Sequence, residues 1–130
     1  VDVENVIEYW IKGSEEDYKT AKALIDSKRF AHALFFCHLT IEKTLKALVV
    51  KHTQKHARLD HNLIRLSEST GLSLSEEQLN ALTEINSFNI SGRYDDEKFE
   101  FHKKATQEFT EKYFNETTNL YLWLKKQLTK

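Results

Sequence analysis

The chain has no proline and no methionine, one cysteine, and only three glycines, Gly13, Gly71 and Gly92. Proline and glycine are the main punctuation of turns. Without them, and without sustained alternation of apolar and polar residues, strands and hairpins have little support, and the expectation is an all-α protein. The lone Cys37 cannot close an internal disulfide and lies in an apolar-periodic segment where a buried, inert thiol is the common outcome. That usage fits a reducing, cytoplasmic setting. A dominant charge is also missing: 19 Lys and Arg stand against 20 Asp and Glu, a net charge of −1. Bulk charge therefore does not point to nucleic acid, although a local basic cluster still can. No apolar run approaches the roughly 20 residues needed to span a bilayer, and the N-terminus lacks a charged-then-apolar signal pattern. There is no phosphate-binding glycine loop, nucleophile elbow or HExxH motif, so most recognisable enzyme classes lack support and no cofactor is expected. Opening on Val1, with no methionine anywhere, suits a processed, trimmed or excised N-terminus equally.

What is present is a chain of 130 residues, 40% hydrophobic and 30% charged, which suits one domain over 1–130 with a single core. Apolar Val3, Ile7, Trp10, Tyr18, Ala21, Leu24 and Ile25 share one helical face, predicting a long first helix with a weak point at Gly13-Ser14, where Ser14 is a candidate N-cap. Phe30, Leu34, Cys37, Ile41, Leu45 and Leu48 step by three or four and draw the core stripe of a second long helix. Leu63, Ile64 and Leu66 suggest a short helix ending before Gly71. Ser75 caps a further helix with Leu79, Leu82 and Ile85 inward, finishing near Ser91-Gly92. Arg93 to Lys98, "RYDDEK", reads as a non-helical connection. A last helix carries Ala105, Phe109, Tyr113, Leu120, Trp123, Leu124 and Leu128, preceded by Phe99 and Phe101. The sum is an antiparallel up-and-down bundle of four to five helices.

Three polar constellations stand out. His38, Glu42 and Lys46 are spaced four apart, so they lie one above another beside the core stripe. One reading is a solvated flank in which Glu42 and Lys46 make a surface pair; the other is a polar row held at a packing seam that orients an arginine or a phosphate. In the second constellation, "SGRYDD", Gly92 is a plausible helix C-terminal residue, leaving Arg93 free to fold back and pair with Glu42 or a phosphate. The third is the basic run Lys51, His52, Lys55, His56, Arg58, His61 and Arg65. Its Lys51, Lys55, Arg58 and Arg65 form a candidate phosphate patch, although positive charge after a helix C-terminus also has a simple dipole rationale. His52 and His56, without a carboxylate or cysteine, make a poor metal pair, and no metal site is expected.

The segments "AHALFF", "CHLTIEKTLKALVV", "DHNLIRL" and "GRYDD", in that order and spacing, resemble the HEPN (higher eukaryote and prokaryote nucleotide-binding) domain family, small stand-alone prokaryotic type. The resemblance covers nearly the whole chain. It implies a helical bundle that commonly dimerises, similar to the substrate-binding subunits of nucleotidyltransferases. It also implies a polar cleft near the second helix and the arginine-bearing connection, with His38, Glu42, Lys46, Arg93 and Tyr94 as candidate ligand-binding residues. Members that resemble metal-independent endoribonuclease toxins carry an arginine followed closely by a histidine. Here "YDDEKFEF" separates Arg93 from His102, and its acidic residues oppose an RNA backbone. The leading expectation is a nucleotide- or RNA-binding or protein-interaction module, homodimeric, partnering a minimal nucleotidyltransferase in a toxin–antitoxin-like context. The alternatives are a ribonuclease using Arg93 with His102 or His38, and a purely structural scaffold.

Overall fold

Helix start signals in the sequence become helix ends in space. The computed structural model describes residues 1–130 and contains six helices: α1 (Val3–Asp26), α2 (Phe30–Thr53), α3 (Leu63–Glu68), α4 (Glu76–Asn86), α5 (Asp95–Lys104) and α6 (Gln107–Gln127). The Asp2 carboxylate caps α1 by accepting from the Asn5 N–H, and Ser75 and Gln78 form a reciprocal capping box at α4. The Thr106 hydroxyl accepts from the Phe109 N–H and starts α6. Each such cap satisfies a backbone donor that the first turn leaves unpaired, and typically contributes about 1 kcal/mol.

The hub is α2, packed by α1 on one flank and by α6 and α3 on others. Leu34, Cys37, Ile41 and Leu45 of its stripe are fully buried; burying each leucine or isoleucine contributes about 1.5–3 kcal/mol. Leu63 and Leu66 of α3, Leu82 and Ile85 of α4, and Leu120 and Leu124 of α6 complete one core with them. No helix is long and apolar enough to cross a membrane.

The bundle architecture matches the sequence expectation, and its details correct it in four places. Helix α1 is the single long helix expected, running through Gly13-Ser14, but Ser14 is buried in mid-helix and donates to the Ile11 carbonyl rather than acting as an N-cap. Gly13 has a different use, because a Cβ there would lie 3.0 Å from the Lys43 Cδ that crosses it. Helix α4 stops at Asn86, short of Ser91-Gly92, and Leu79 is 41% exposed rather than inward. The "RYDDEK" connection is largely helical: α5 begins at Asp95, with three acidic residues in its first turn to complement the helix dipole. Phe99 and Phe101 therefore belong to α5, and Ala105 caps it rather than starting the last helix. The count is thus six helices, not four to five.

Phe88 lies just beyond the end of α4. It is fully buried, with its ring 5.9 Å from Phe101, 6.0 Å from Phe109 and 5.5 Å from Tyr113. The four rings pack together, Phe88 and Phe101 buried and Phe109 and Tyr113 partly so, and hold the chain beyond α4 against α5 and α6.

Candidate functional site

The His38, Glu42 and Lys46 row lies at the packing seam, not on a solvated flank: the three residues are 0%, 4% and 4% exposed. A carboxylate so placed is costly unless it is paired and hydrogen-bonded. Glu42 has three neighbours. Lys46 Nζ donates to its Oε2 at 3.1 Å, His61 Nδ1 lies 3.1 and 3.0 Å from its two oxygens, and His38 Nδ1 lies 3.7 Å from Oε1. Lys46 also sits 5.0 Å from the Trp10 ring centroid, a cation–π contact that ties α1 to the network.

His61 is the partner that the sequence grouped with the basic run rather than with Glu42. A local clamp delivers it. Arg65 grips the Asp60 carboxylate with two hydrogen bonds, 2.8 and 3.0 Å, which with the Asn62 N–H hold that carboxyl well below the usual range. Asn62 then caps α3 by accepting from the Ile64 and Arg65 N–H groups. Between these fixed points the His61 carbonyl accepts from His38 Nε2 at 3.0 Å. A carbonyl can only accept, so Nε2 carries the His38 proton and Nδ1 is left as a bare lone pair. Consistently, that Nδ1 has no hydrogen-bond partner. Burial pushes the His38 pKa down, against the opposing pull of the Glu42 carboxylate and the His61 carbonyl. His38 is therefore a neutral donor that pins a loop to a helix.

A second ion pair runs along the same α1–α2 seam. Lys43 crosses Gly13 and reaches Asp17 Oδ2 at 2.7 Å. Behind the seam Cys37 is buried, and its thiol is pushed up to about 12 by that burial, with Thr117 opposing.

Arg93 does not join this network. Its guanidinium donates to the Ser87 carbonyl at 2.9 Å and borders a cleft of about 450 Å³ with Asp96, Glu97 and Glu100. The expected Arg93–Glu42 pair is absent because Phe88 anchors the chain just before Arg93 on the α5–α6 side of the molecule. Tyr94 is 80% exposed at the start of α5 and makes none of the seam's contacts. His102 lies elsewhere again, its ring 5.7 Å from that of His32. Arg93, His102 and His38 thus have different neighbours within the chain.

The candidate phosphate patch also divides. Lys51 Nζ donates to the carbonyls of Gln127, Leu128 and Lys130, tying down the end of α6. Arg65 is engaged by Asp60. Lys55 and Arg58 remain exposed, as does His56, on the loop that ends at His61. His52 packs on Gly71, where a Cβ would meet its ring at 2.5 Å. No three His, Cys, Asp or Glu side chains converge as metal ligands.

The mouth of the seam brings together what the sequence kept apart. On the α1 side stands exposed Tyr9, 5.0 Å edge-on to Trp10. On the other side is His61, its side chain 69% exposed, near the end of the 54–62 loop that also carries exposed Lys55, Arg58 and Leu59. The two sides are linked through Lys46 and Glu42.

Residues 7–127 match the family model described as HEPN domain. Among solved structures, the crystal structure of the protein TT1696 from Thermus thermophilus superposes with a TM-score of 0.78 at 15% identity, covering 92% of this chain and 96% of that one. An archaeal HEPN homologue, ST0689, superposes with a TM-score of 0.70 at 20% identity, covering 94% and 97%. No curated protein matches the sequence significantly.

Proposed function

The chain belongs to the HEPN domain family, and on that premise we propose that it is a binding module for nucleotide or RNA, using the mouth of the α1–α2 seam. One observation carries the proposal: Tyr9, Trp10, Lys46, Glu42 and His61 form a continuous chain of contacts from an exposed aromatic edge to an exposed imidazole. The buried members of that chain hold the geometry. The exposed Lys55, Arg58 and His61 supply the charge and donors that a phosphate backbone requires. Base stacking falls to Tyr9 and the open edge of Trp10.

Tyr94 and Phe99, away from the seam mouth, are large apolar side chains 80% and 61% exposed, and a second copy of the chain would cover such residues. The working unit we propose is a homodimer that serves a minimal nucleotidyltransferase in a paired, toxin–antitoxin-like system. Light scattering tests the dimer, and a strictly monomeric mass at micromolar concentration contradicts it.

Binding is tested by fluorescence in a Trp123→Phe background, where Trp10 is the only indole. Short single-stranded RNA or a nucleoside triphosphate is expected to quench Trp10 saturably, and His61→Ala is expected to weaken that binding. An unquenched Trp10 across the accessible concentration range would overturn the assignment of this face.

A further inference from the structure

The other end of α2 carries a cluster of opposite design. Lys28 and Arg29 lie in the α1–α2 turn, His32 at the start of α2, and His102 on α5, all bordering a cleft of about 310 Å³. The two imidazole rings meet edge to face, 5.7 Å between centroids. No carboxylate borders this cleft; the rest of its lining is Phe30, Ala31 and Ala105. None of the four basic side chains takes part in an ion pair, although Lys103 and Lys104, next to His102 in sequence, find Glu100 and Glu84.

Lys28 and Arg29 carry fixed positive charge, His32 and His102 add N–H donors from two chain segments, and no acid borders the cleft, an arrangement suited to an anion. Structural networks elsewhere in this molecule do not look like this. Glu42, Asp17 and Asp60 each hold a cation within 3.1 Å. We propose that the Lys28, Arg29, His32 and His102 cluster is a binding site for a phosphate monoester, distinct from the seam mouth.

The chemistry selects the monoester. Arg29 offers a planar fork suited to two phosphate oxygens, and Lys28 a point charge. Two histidines add imidazole N–H donors, and a monoester offers three terminal oxygens to accept from the set. The rest of the border, Phe30, Ala31 and Ala105, is apolar and adds no side-chain donor. A phosphodiester, with one negative charge and two bulky substituents, meets fewer of these donors.

The test uses the full chain and histidine C–H resonances in NMR, the His32 and His102 signals being assigned by His32→Ala and His102→Ala. Titration with inorganic phosphate is expected to shift those two signals saturably and to leave His56 unmoved. Arg29→Ala should weaken the binding about tenfold, as expected for loss of a charged hydrogen-bonding partner. Dimethyl phosphate, the diester probe, should bind at least about tenfold more weakly. All exposed histidines shifting alike, or no saturable shift at His32 and His102, would overturn the proposal, and equal binding of the diester would overturn the monoester assignment. Because the readout is local, these outcomes are independent of whether RNA quenches Trp10 at the seam mouth.

Discussion

His32 and His38 lie within two turns of each other on α2, yet one is exposed among unpaired cations and the other is fully buried against a carboxylate. In the middle of the helix, Glu42 gathers Lys46 and His61, and His38 commits its proton to the His61 carbonyl. At the N-terminal end, Lys28, Arg29, His32 and His102 gather no acid at all. Burial explains the difference. A charge withdrawn from water must find its counter-charge inside the fold, whereas an exposed cluster can remain open for a ligand. Polar residues packed at a helix seam are thus not in themselves a sign of binding; unmet charge at an accessible cleft is the better sign.

The comparison breaks most visibly under substitution. Glu42→Ala leaves Lys46 buried without its anion, and is expected to cost about 3–5 kcal/mol in urea unfolding. Arg29→Ala removes an exposed, unpaired charge and should stay within about 0.5 kcal/mol of the parent. Equal losses at the two positions would mean that the seam is not a closed structural network.

A smaller effect appears with pH. Because burial lowers the His38 pKa in the folded chain, the unfolded chain takes up a proton below about pH 6.5 that the folded chain resists. His38 therefore adds stability above that range and loses it as the pH falls through the lowered folded value. Glu42 and the His61 carbonyl oppose the shift, while the His61 ring and Lys46 reinforce it. The urea midpoint should fall from about pH 7.5 to about pH 5.5, and His38→Gln, whose amide can replace the Nε2 donor, should fall less steeply. Parallel curves for the two proteins would place the titration elsewhere.

The smallest expected effect is a silence. With its thiol pushed up to about 12 by burial, Cys37 should react with a thiol reagent only at the rate of unfolding. Rapid labelling of the native protein would show the α2–α6 contact to be open.

Periodicity made the fold legible wherever one face of a helix had to be apolar. Leu34, Cys37, Ile41 and Leu45 declared α2, and the Ser75 capping box declared α4. It was silent on α5, whose acidic start and scattered aromatic residues give no clean stripe; Phe101 is its one buried side chain. The spacing of His38, Glu42 and Lys46 placed them on a common flank but left their burial undecided. Their partner was harder to read. Arg93 was the stronger candidate by charge, but Phe88 holds its segment on the far side, while the Asp60–Arg65 clamp and the Asn62 cap deliver His61. Local capping chemistry in "DHNLIR" was the available signal. The His32–His102 contact had none, since it depends on how α5 packs against the start of α2.

Salt dependence of RNA binding tests the central functional claim most directly. Fluorescence anisotropy of a labelled single-stranded RNA, read over a series of salt concentrations, should show weaker binding for Lys55→Ala/Arg58→Ala than for the parent. The slope of log affinity against log salt should also flatten, by about 0.7 for each phosphate contact removed. An identical affinity and slope for parent and double variant would contradict the seam mouth as the nucleic-acid-binding face.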